Sequence, residues 1–114
     1  MVRFDLQGIG TKDTALLGYQ GAKEGVLAIV RGKKAEAGKV LYFPFAISGS
    51  SSLGVCARPI HLEVMPATCE RDQGPIAGCT LNQRAQELVV IGGDCDPLHI
   101  YWDPQQGSLD WWRL

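Results

Sequence analysis

The chain has 114 residues, of which 46% are hydrophobic and 20% are charged, and its formal net charge is −1. This length corresponds to about one domain, and the hydrophobic content excludes a disordered protein. The charge argues against a nucleic-acid-binding protein with a basic surface, and no apolar run reaches the roughly 18 residues of a membrane span. We therefore expect one domain, residues 1–114, that binds no nucleic acid and spans no membrane.

Short stretches rich in Val, Ile, Leu and aromatic residues recur along the chain, separated by turn-forming residues that include 14 glycines. The nine predicted strands are Val2–Gln7, Ala15–Gln20, Val26–Arg31, Lys39–Ile47, Leu53–Arg58, Ile60–Met65, Glu87–Ile91, Leu98–Asp103 and Leu109–Arg113. Short strands at near-regular spacing are typical of a sandwich or barrel. We expect an all-β, antiparallel domain of about eight or nine strands. Leu81–Leu88 is the one segment that fits either a helical turn or a polar strand.

Four connections have the composition of hairpin loops: Ala22–Gly25, Gly32–Gly38, Ser48–Ser52 and Pro104–Gly107. In the last of these, an early proline and a late glycine suit a type I turn followed by a left-handed residue.

The register of the last hairpin follows from its four-residue loop, which sets Asp103 opposite Ser108. One face then carries Ile100, Trp102, Leu109 and Trp111, and we expect it to be the core. The other face carries His99, Tyr101, Asp110 and Trp112, and its mixture of aromatic and polar groups predicts a partner-binding surface formed by His99, Tyr101 and Trp112.

The four cysteines are Cys56, Cys69, Cys79 and Cys95, and no two of them form a Cys-x-x-Cys pair. An even number at wide spacing in a small chain predicts two disulfides and an oxidising compartment. Three pairings are possible, and we favour Cys69–Cys79 with Cys56–Cys95, because the polar segment 70–78 has the composition of a loop that one bridge could close.

The first residues, Met1–Asp5, contain no apolar segment of the kind found in export signals. We interpret the sequence as the mature form of a periplasmic or secreted protein, the signal having been removed.

Charge is distributed unevenly along the chain. Residues 1–58 carry eight basic and four acidic groups, and residues 59–114 carry three basic and eight acidic groups. The basic excess centres on Arg31, Lys33, Lys34 and Lys39. This polarity could steer a charged partner, or the opposite charges could balance in space.

Residues that could carry catalysis or bind a metal are few. His61 lies in an alternating strand with no second ligand nearby, which favours an exposed position. Asp94 and Asp96 flank Cys95, but a calcium loop needs further oxygen ligands, so a disulfide-anchored turn is the better interpretation. Phosphate-binding glycine motifs are absent from the sequence. We therefore predict no catalytic residue, no metal site and no cofactor.

The most unusual segment contains four serines and one glycine, namely Ser48, Gly49, Ser50, Ser51 and Ser52. It lacks the Gly-x-Ser-x-Gly elbow of a serine nucleophile. A flexible hairpin tip is one interpretation. The other is a small, polar, protruding loop that enters the cleft of a partner.

A disulfide-bonded β protein with this serine loop resembles the periplasmic immunity proteins that protect bacteria from peptidoglycan-cleaving amidase effectors of type VI secretion. Bacterial lysozyme inhibitors share this general character. The resemblance implies a protein without enzymatic activity whose partner is a secreted peptidoglycan hydrolase. It also implies a loop, here Ser48–Ser52, that blocks the active-site cleft.

Two other functions fit the same sequence. In a carbohydrate-binding module, Trp112, Tyr101 and His99 would stack on sugar rings. In a structural or adhesive subunit of an extracellular assembly, the chain would associate with copies of itself.

Overall fold

The computed structural model describes residues 1–32, 38–47, 53–67 and 84–113 in full, and the backbone of 70–71 and 74–75. Every regular element in these residues is a strand. The strands are β1 (Val2–Phe4), β2 (Asp13–Gln20), β3 (Glu24–Val30), β4 (Val40–Ile47), β5 (Gly54–Val55), β6 (Ile60–Pro66), β7 (Glu70–Arg71), β8 (Gly74–Pro75), β9 (Gln86–Gly92), β10 (Leu98–Asp103) and β11 (Ser108–Trp112). The all-β prediction is confirmed. Of the segment Leu81–Leu88, the last three residues, 86–88, belong to strand β9, and Arg84 and Ala85 precede it.

The strands form two main sheets. One has five strands in the order β1-β2-β3-β4-β5, and the other has four in the order β11-β10-β9-β6. Alternate side chains of both sheets meet in a core that includes Phe4, Leu27, Ile29, Phe45, Leu88, Val90, Leu98 and Ile100. Each of the nine predicted strands corresponds to a strand of these sheets. The fold is therefore a sandwich.

β1 is shorter than predicted because Asp5 turns the chain away from the sheet. Its carboxylate accepts hydrogen bonds from the backbone N–H groups of Gly8, Ile9 and Gly10 at 2.8–3.1 Å. Side chains of this type compete with the sheet for backbone donors. The segment after Phe4 therefore forms a compact loop instead of continuing the strand.

The prediction of a hairpin between the fourth and fifth strands is wrong. β5 pairs with β4 in parallel, with Ala46 opposite Gly54 and Ile47 opposite Val55. Ala46 N–H also donates to the Leu53 carbonyl at 3.0 Å, so the chain enters β5 beside the end of β4. The other strand pairs of the two main sheets are antiparallel.

The predicted register of the last hairpin is confirmed. Asp103 pairs with Ser108, Tyr101 with Asp110, and His99 with Trp112. Gly107 has a φ of 64°, the left-handed conformation expected at the end of this loop. The Asp103 carboxylate also accepts hydrogen bonds from the N–H groups of Gln105 and Gln106, which stabilises the turn.

One predicted disulfide is present, joining Cys56 to Cys95 with their Cα atoms 5.7 Å apart. This is the one bridge seen among the described residues. The second predicted bridge, Cys69–Cys79, lies outside them. In the intervening segment, which we expected to be a loop, β7 and β8 form a short antiparallel pair. The described ranges contain no helix long and apolar enough to cross a membrane.

Candidate functional site

The Cys56–Cys95 bridge lies at one end of the sandwich, where β5 meets the end of β9. Cys56 N–H donates to the Gly92 carbonyl at 2.9 Å. A side chain at position 92 would collide with the Ala57 carbonyl, which lies 2.6 Å from the place of its Cβ. Glycine is therefore required for this close approach. We call this part of the molecule, with the β2–β3 turn and the end of β4, the disulfide end.

An exposed aromatic residue and an arginine are held together at the disulfide end. The guanidinium carbon of Arg58 lies 3.8 Å from the centre of the Tyr19 ring, and Nη2 of Arg58 donates to the Gly21 carbonyl at 2.9 Å. Tyr19 is 43% exposed, and Arg58 is exposed as well. Because the stack and the hydrogen bond fix its plane, the guanidinium presents its other N–H groups in a defined direction. We call this the Tyr19–Arg58 pair.

The serine segment Ser48–Ser52 lies outside the described residues, but both of its flanks are at the disulfide end. On one side, Ile47 N–H donates to the Lys23 carbonyl at 2.8 Å, which ties the end of β4 to the turn that also binds Arg58. On the other side, the Gly54 carbonyl accepts a hydrogen bond from Nη1 of Arg113 at 3.2 Å. Lys33 and Lys34 of the predicted basic loop also lie outside the described ranges.

Charges of both signs are exposed at this end. Lys23 and Arg58 lie on the side of the five-stranded sheet, whereas Asp94 and Asp96 flank the bridge on the other side. The end is therefore polar and mixed in charge, like the rim of a protein interface.

The structure brings the three predicted residues of the last hairpin together on the outer side of the four-stranded sheet. The His99 and Trp112 rings stack with centroids 3.9 Å apart and an interplanar angle of 11°. Next to them, the Tyr101 hydroxyl donates to Oδ2 of Asp110 at 3.2 Å. Burial raises the pKa of Tyr101 to about 12, and the carboxylates of Asp110 and Asp103 contribute to the rise.

The expectation that this face is open to solvent is wrong for two of the three residues. Tyr101 is 3% exposed and Trp112 is 7% exposed, whereas His99 is partly exposed. Sugar binding requires an open aromatic face, and one face of Trp112 is already covered by His99. The arrangement is therefore a packed cluster and not a sugar-stacking platform. A contact between these residues and a protein partner stays a prediction.

Glu87 completes this cluster and was missed by the sequence analysis. It is 1% exposed, and its Oε1 lies 2.9 Å from Nδ1 of His99. Its Oε2 and the indole Nε1 of Trp112 are buried without a hydrogen-bond partner among the described residues. The signal in the sequence was the unbroken apolar run after it, 88–91, which is typical of a strand covered on both faces.

Single candidate residues elsewhere have ordinary positions. His61 is exposed on β6, as predicted, with Leu62 and Val64 pointing towards the core. Within the described ranges, no group of three or more His, Cys, Asp or Glu side chains is placed to hold a metal ion.

The disulfide end is thus the part of the described surface where an ordered Arg–Tyr pair, the flanks of the serine segment and the bridge come together. No protein-family model, curated protein or solved structure matches the chain. The assignment of a function therefore rests on this geometry.

Proposed function

We propose that this protein is a periplasmic or secreted inhibitor of a peptidoglycan hydrolase, of the same kind as immunity proteins against amidase effectors, and that its disulfide end covers the cleft of the enzyme. The Cys56–Cys95 bridge supports an oxidising compartment, because disulfides persist there and are rare in the cytosol. An inhibitor of this kind needs a rigid scaffold and an ordered surface, and no catalytic group.

The observation that carries the proposal is the connection of the Tyr19–Arg58 pair to the serine segment. Arg58 binds the carbonyl of Gly21, and the carbonyl of Lys23 in the same turn binds the last residue of β4. Tyr and Arg are enriched among the residues that dominate binding energies. Because the pair is ordered before binding, less side-chain entropy is lost when a partner docks.

The chemistry of this surface suits an enzyme cleft and its rim. The N–H groups of Arg58 that bond to none of the described residues can donate to carbonyl or carboxylate oxygens at the rim. Serine hydroxyls both donate and accept hydrogen bonds, and their small size allows entry into a slot that contains a catalytic Cys, His or Ser. The two parts would act together, with Ser48–Ser52 in the cleft and the Tyr19–Arg58 pair beside it.

The test is a peptidoglycan digestion assay in which the oxidised protein is titrated against an amidase, an endopeptidase and a muramidase of bacterial origin. We expect inhibition of the amidase. Replacement Arg58→Ala should weaken inhibition by about 2 kcal/mol, or roughly 30-fold, which is the loss expected for an arginine hot spot. Ser50→Trp should weaken it to a similar degree by blocking entry into the cleft.

Arg84→Ala is the matched control, because Arg84 is an exposed arginine just before β9, at the opposite end of the sandwich. It should leave inhibition unchanged, and the melting temperature of each variant checks that folding is intact. If the protein inhibits none of the three enzymes, the proposed function is wrong. If Arg58→Ala and Arg84→Ala have equal effects, the disulfide end is not the binding surface.

A further inference from the structure

The outward side of the five-stranded sheet is unusually apolar. Strand alternation turns the following side chains away from the core: Thr14, Leu16, Gly18 and Gln20 of β2, Glu24, Val26, Ala28 and Val30 of β3, and Val40, Tyr42, Pro44 and Ala46 of β4. We call this surface the outer face. Tyr42 is 69% exposed, Leu16 42% and Val40 37%. A solvated antiparallel sheet normally presents polar side chains here, and contiguous apolar patches mark interaction sites.

Large and small side chains alternate between two adjacent rows at the centre of the outer face. One row contains Leu16, Ala28 and Tyr42, and the next contains Gly18, Val26 and Pro44. On β2 and β3, each large side chain therefore has a smaller one two residues away on the same strand, and on β4 an aromatic ring stands next to a proline.

We propose that the outer face binds the outer face of a second copy of this chain, around a two-fold axis that crosses the strands between the two rows. A two-fold interface pairs the same patch on both subunits. This axis sets Leu16 above Gly18 of the second copy, Val26 above its Ala28, and Tyr42 above its Pro44. The larger side chains of one sheet therefore pack over the smaller side chains of the other. The two sheets are aligned, as is common for stacked sheets.

The charges at the ends of the face select this axis over one that runs along the strands. Arg3 and Lys12 are exposed at one end, next to Thr14. At the other end Glu24 is exposed, with Lys23 exposed in the adjoining turn. An axis across the strands brings Glu24 to the Arg3 and Lys12 end of the second copy. An axis along the strands would instead stack the two basic ends, and such like-charge contacts are unfavourable.

The size of the face predicts a weak dimer. It offers about a dozen side chains, roughly half of the 20–30 residues that each partner contributes to a standard stable interface. We therefore expect a dissociation constant of the order of micromolar. This inference does not rest on the proposed function, although Glu24 and Ala46 at one edge of the outer face border the disulfide end.

The test is sedimentation equilibrium of the full, oxidised protein over about 1–500 μM. We expect a monomer–dimer equilibrium within this range. Leu16→Lys and Tyr42→Lys should each raise the dissociation constant at least about tenfold, because they place a charge at the centre of the interface. Met65→Lys is the matched control, since Met65 is 41% exposed on the other sheet, and it should leave the equilibrium unchanged.

A charge reversal tests the orientation. Glu24→Lys should weaken the dimer, and combining it with Arg3→Glu and Lys12→Glu should restore it. A protein that remains monomeric at the highest concentration overturns the proposal, as does an equal effect of Leu16→Lys and Met65→Lys. If Glu24→Lys leaves the dissociation constant unchanged, the proposed axis is wrong.

Discussion

Asp13, the first residue of β2, and Arg31, the residue after the end of β3, form a buried ion pair. Oδ1 of Asp13 lies 3.2 Å from Nε of Arg31, and both side chains are almost completely inaccessible. The same carboxylate accepts hydrogen bonds from the N–H groups of Gly32 and Leu6. The guanidinium also bonds to Gln7 and lies 4.8 Å from the centre of the Trp102 ring. The end of the sandwich opposite the bridge is thus held together by a polar network.

Removing one member of this pair should strongly destabilise the protein. Asp13→Ala leaves the Arg31 charge buried and removes the acceptor of two backbone donors, so we expect a loss of about 3–5 kcal/mol in urea unfolding. The exposed Asp94→Ala is the control and should change stability by less than about 0.5 kcal/mol. The double variant in which both Asp13 and Arg31 are replaced by alanine should lose less unfolding free energy than the sum of the losses of the two single variants. A loss below about 1 kcal/mol for Asp13→Ala would contradict this account.

The bridge should stabilise the fold chiefly by restricting the unfolded chain. Cys56 and Cys95 are 39 residues apart in sequence, and closing a loop of this length contributes about 4 kcal/mol in the chain-entropy model. Replacing both residues by alanine should therefore lower the free energy of unfolding by about that amount. Denaturant unfolding without reductant measures it. An unchanged midpoint would show that the bridge does not stabilise the fold.

Stability should fall at alkaline pH because of Tyr101. The ordinary tyrosine pKa is about 10, whereas burial raises the pKa of Tyr101 to about 12 in the folded protein. The folded state binds the hydroxyl proton of Tyr101 more tightly than the unfolded state does. The stabilisation from protonated Tyr101 is therefore fully present below about pH 10 and is lost as the pH rises towards 12. Two pKa units correspond to roughly 2–3 kcal/mol.

Thermal unfolding of wild type and Tyr101→Phe between about pH 9 and 12 measures this contribution. The variant should lose less stability over the interval than wild type does, whereas the exposed Tyr42→Phe should behave like wild type. Parallel curves for wild type and Tyr101→Phe would refute the assignment.

Replacing Trp112 should lower the free energy of unfolding by as much as replacing a buried core residue does. Because it is 7% exposed and stacked on His99, Trp112→Ala should cost about 3–5 kcal/mol in chemical denaturation. Met65→Ala, at a half-exposed position on the same sheet, should cost less than about 0.5 kcal/mol. A small loss for Trp112→Ala would mean that the ring is accessible in solution, and the sugar-binding alternative would regain support.

Local features of the fold could be predicted because they depend on neighbouring residues. The register of β10 and β11 followed from the length of the 104–107 loop and from the alternation of apolar and polar residues beside it. A shift by one residue would have exchanged the two faces, so the pattern allowed only one solution.

The parallel pairing of β5 could not be predicted in the same way. A strand of two residues has no periodicity, and its partner is selected by contacts such as the one between Arg113 and Gly54, which are 59 residues apart. The segment Ser48–Ser52 has the composition of a hairpin loop, but composition does not determine whether the next strand pairs in parallel or antiparallel.

The candidate site was predicted in part. The pairing of His99 with Trp112 followed from the hairpin register, whereas the burial of Tyr101 and Trp112 depended on long-range packing. The Tyr19–Arg58 pair had no signal in the sequence, because its members are 39 positions apart and a cation–π contact follows no local pattern.

The central claim is that the disulfide end binds a peptidoglycan hydrolase, and hydrogen exchange on the complex tests it most directly. The oxidised protein would be mixed with the amidase that it inhibits, or with the hydrolase encoded beside its gene, and the exchange of backbone amides compared with the free protein. The account predicts added protection around residues 19–24, 45–58 and 92–96. Protection confined to the opposite end, around Asp13 and Arg31, or no protection at all, would contradict it.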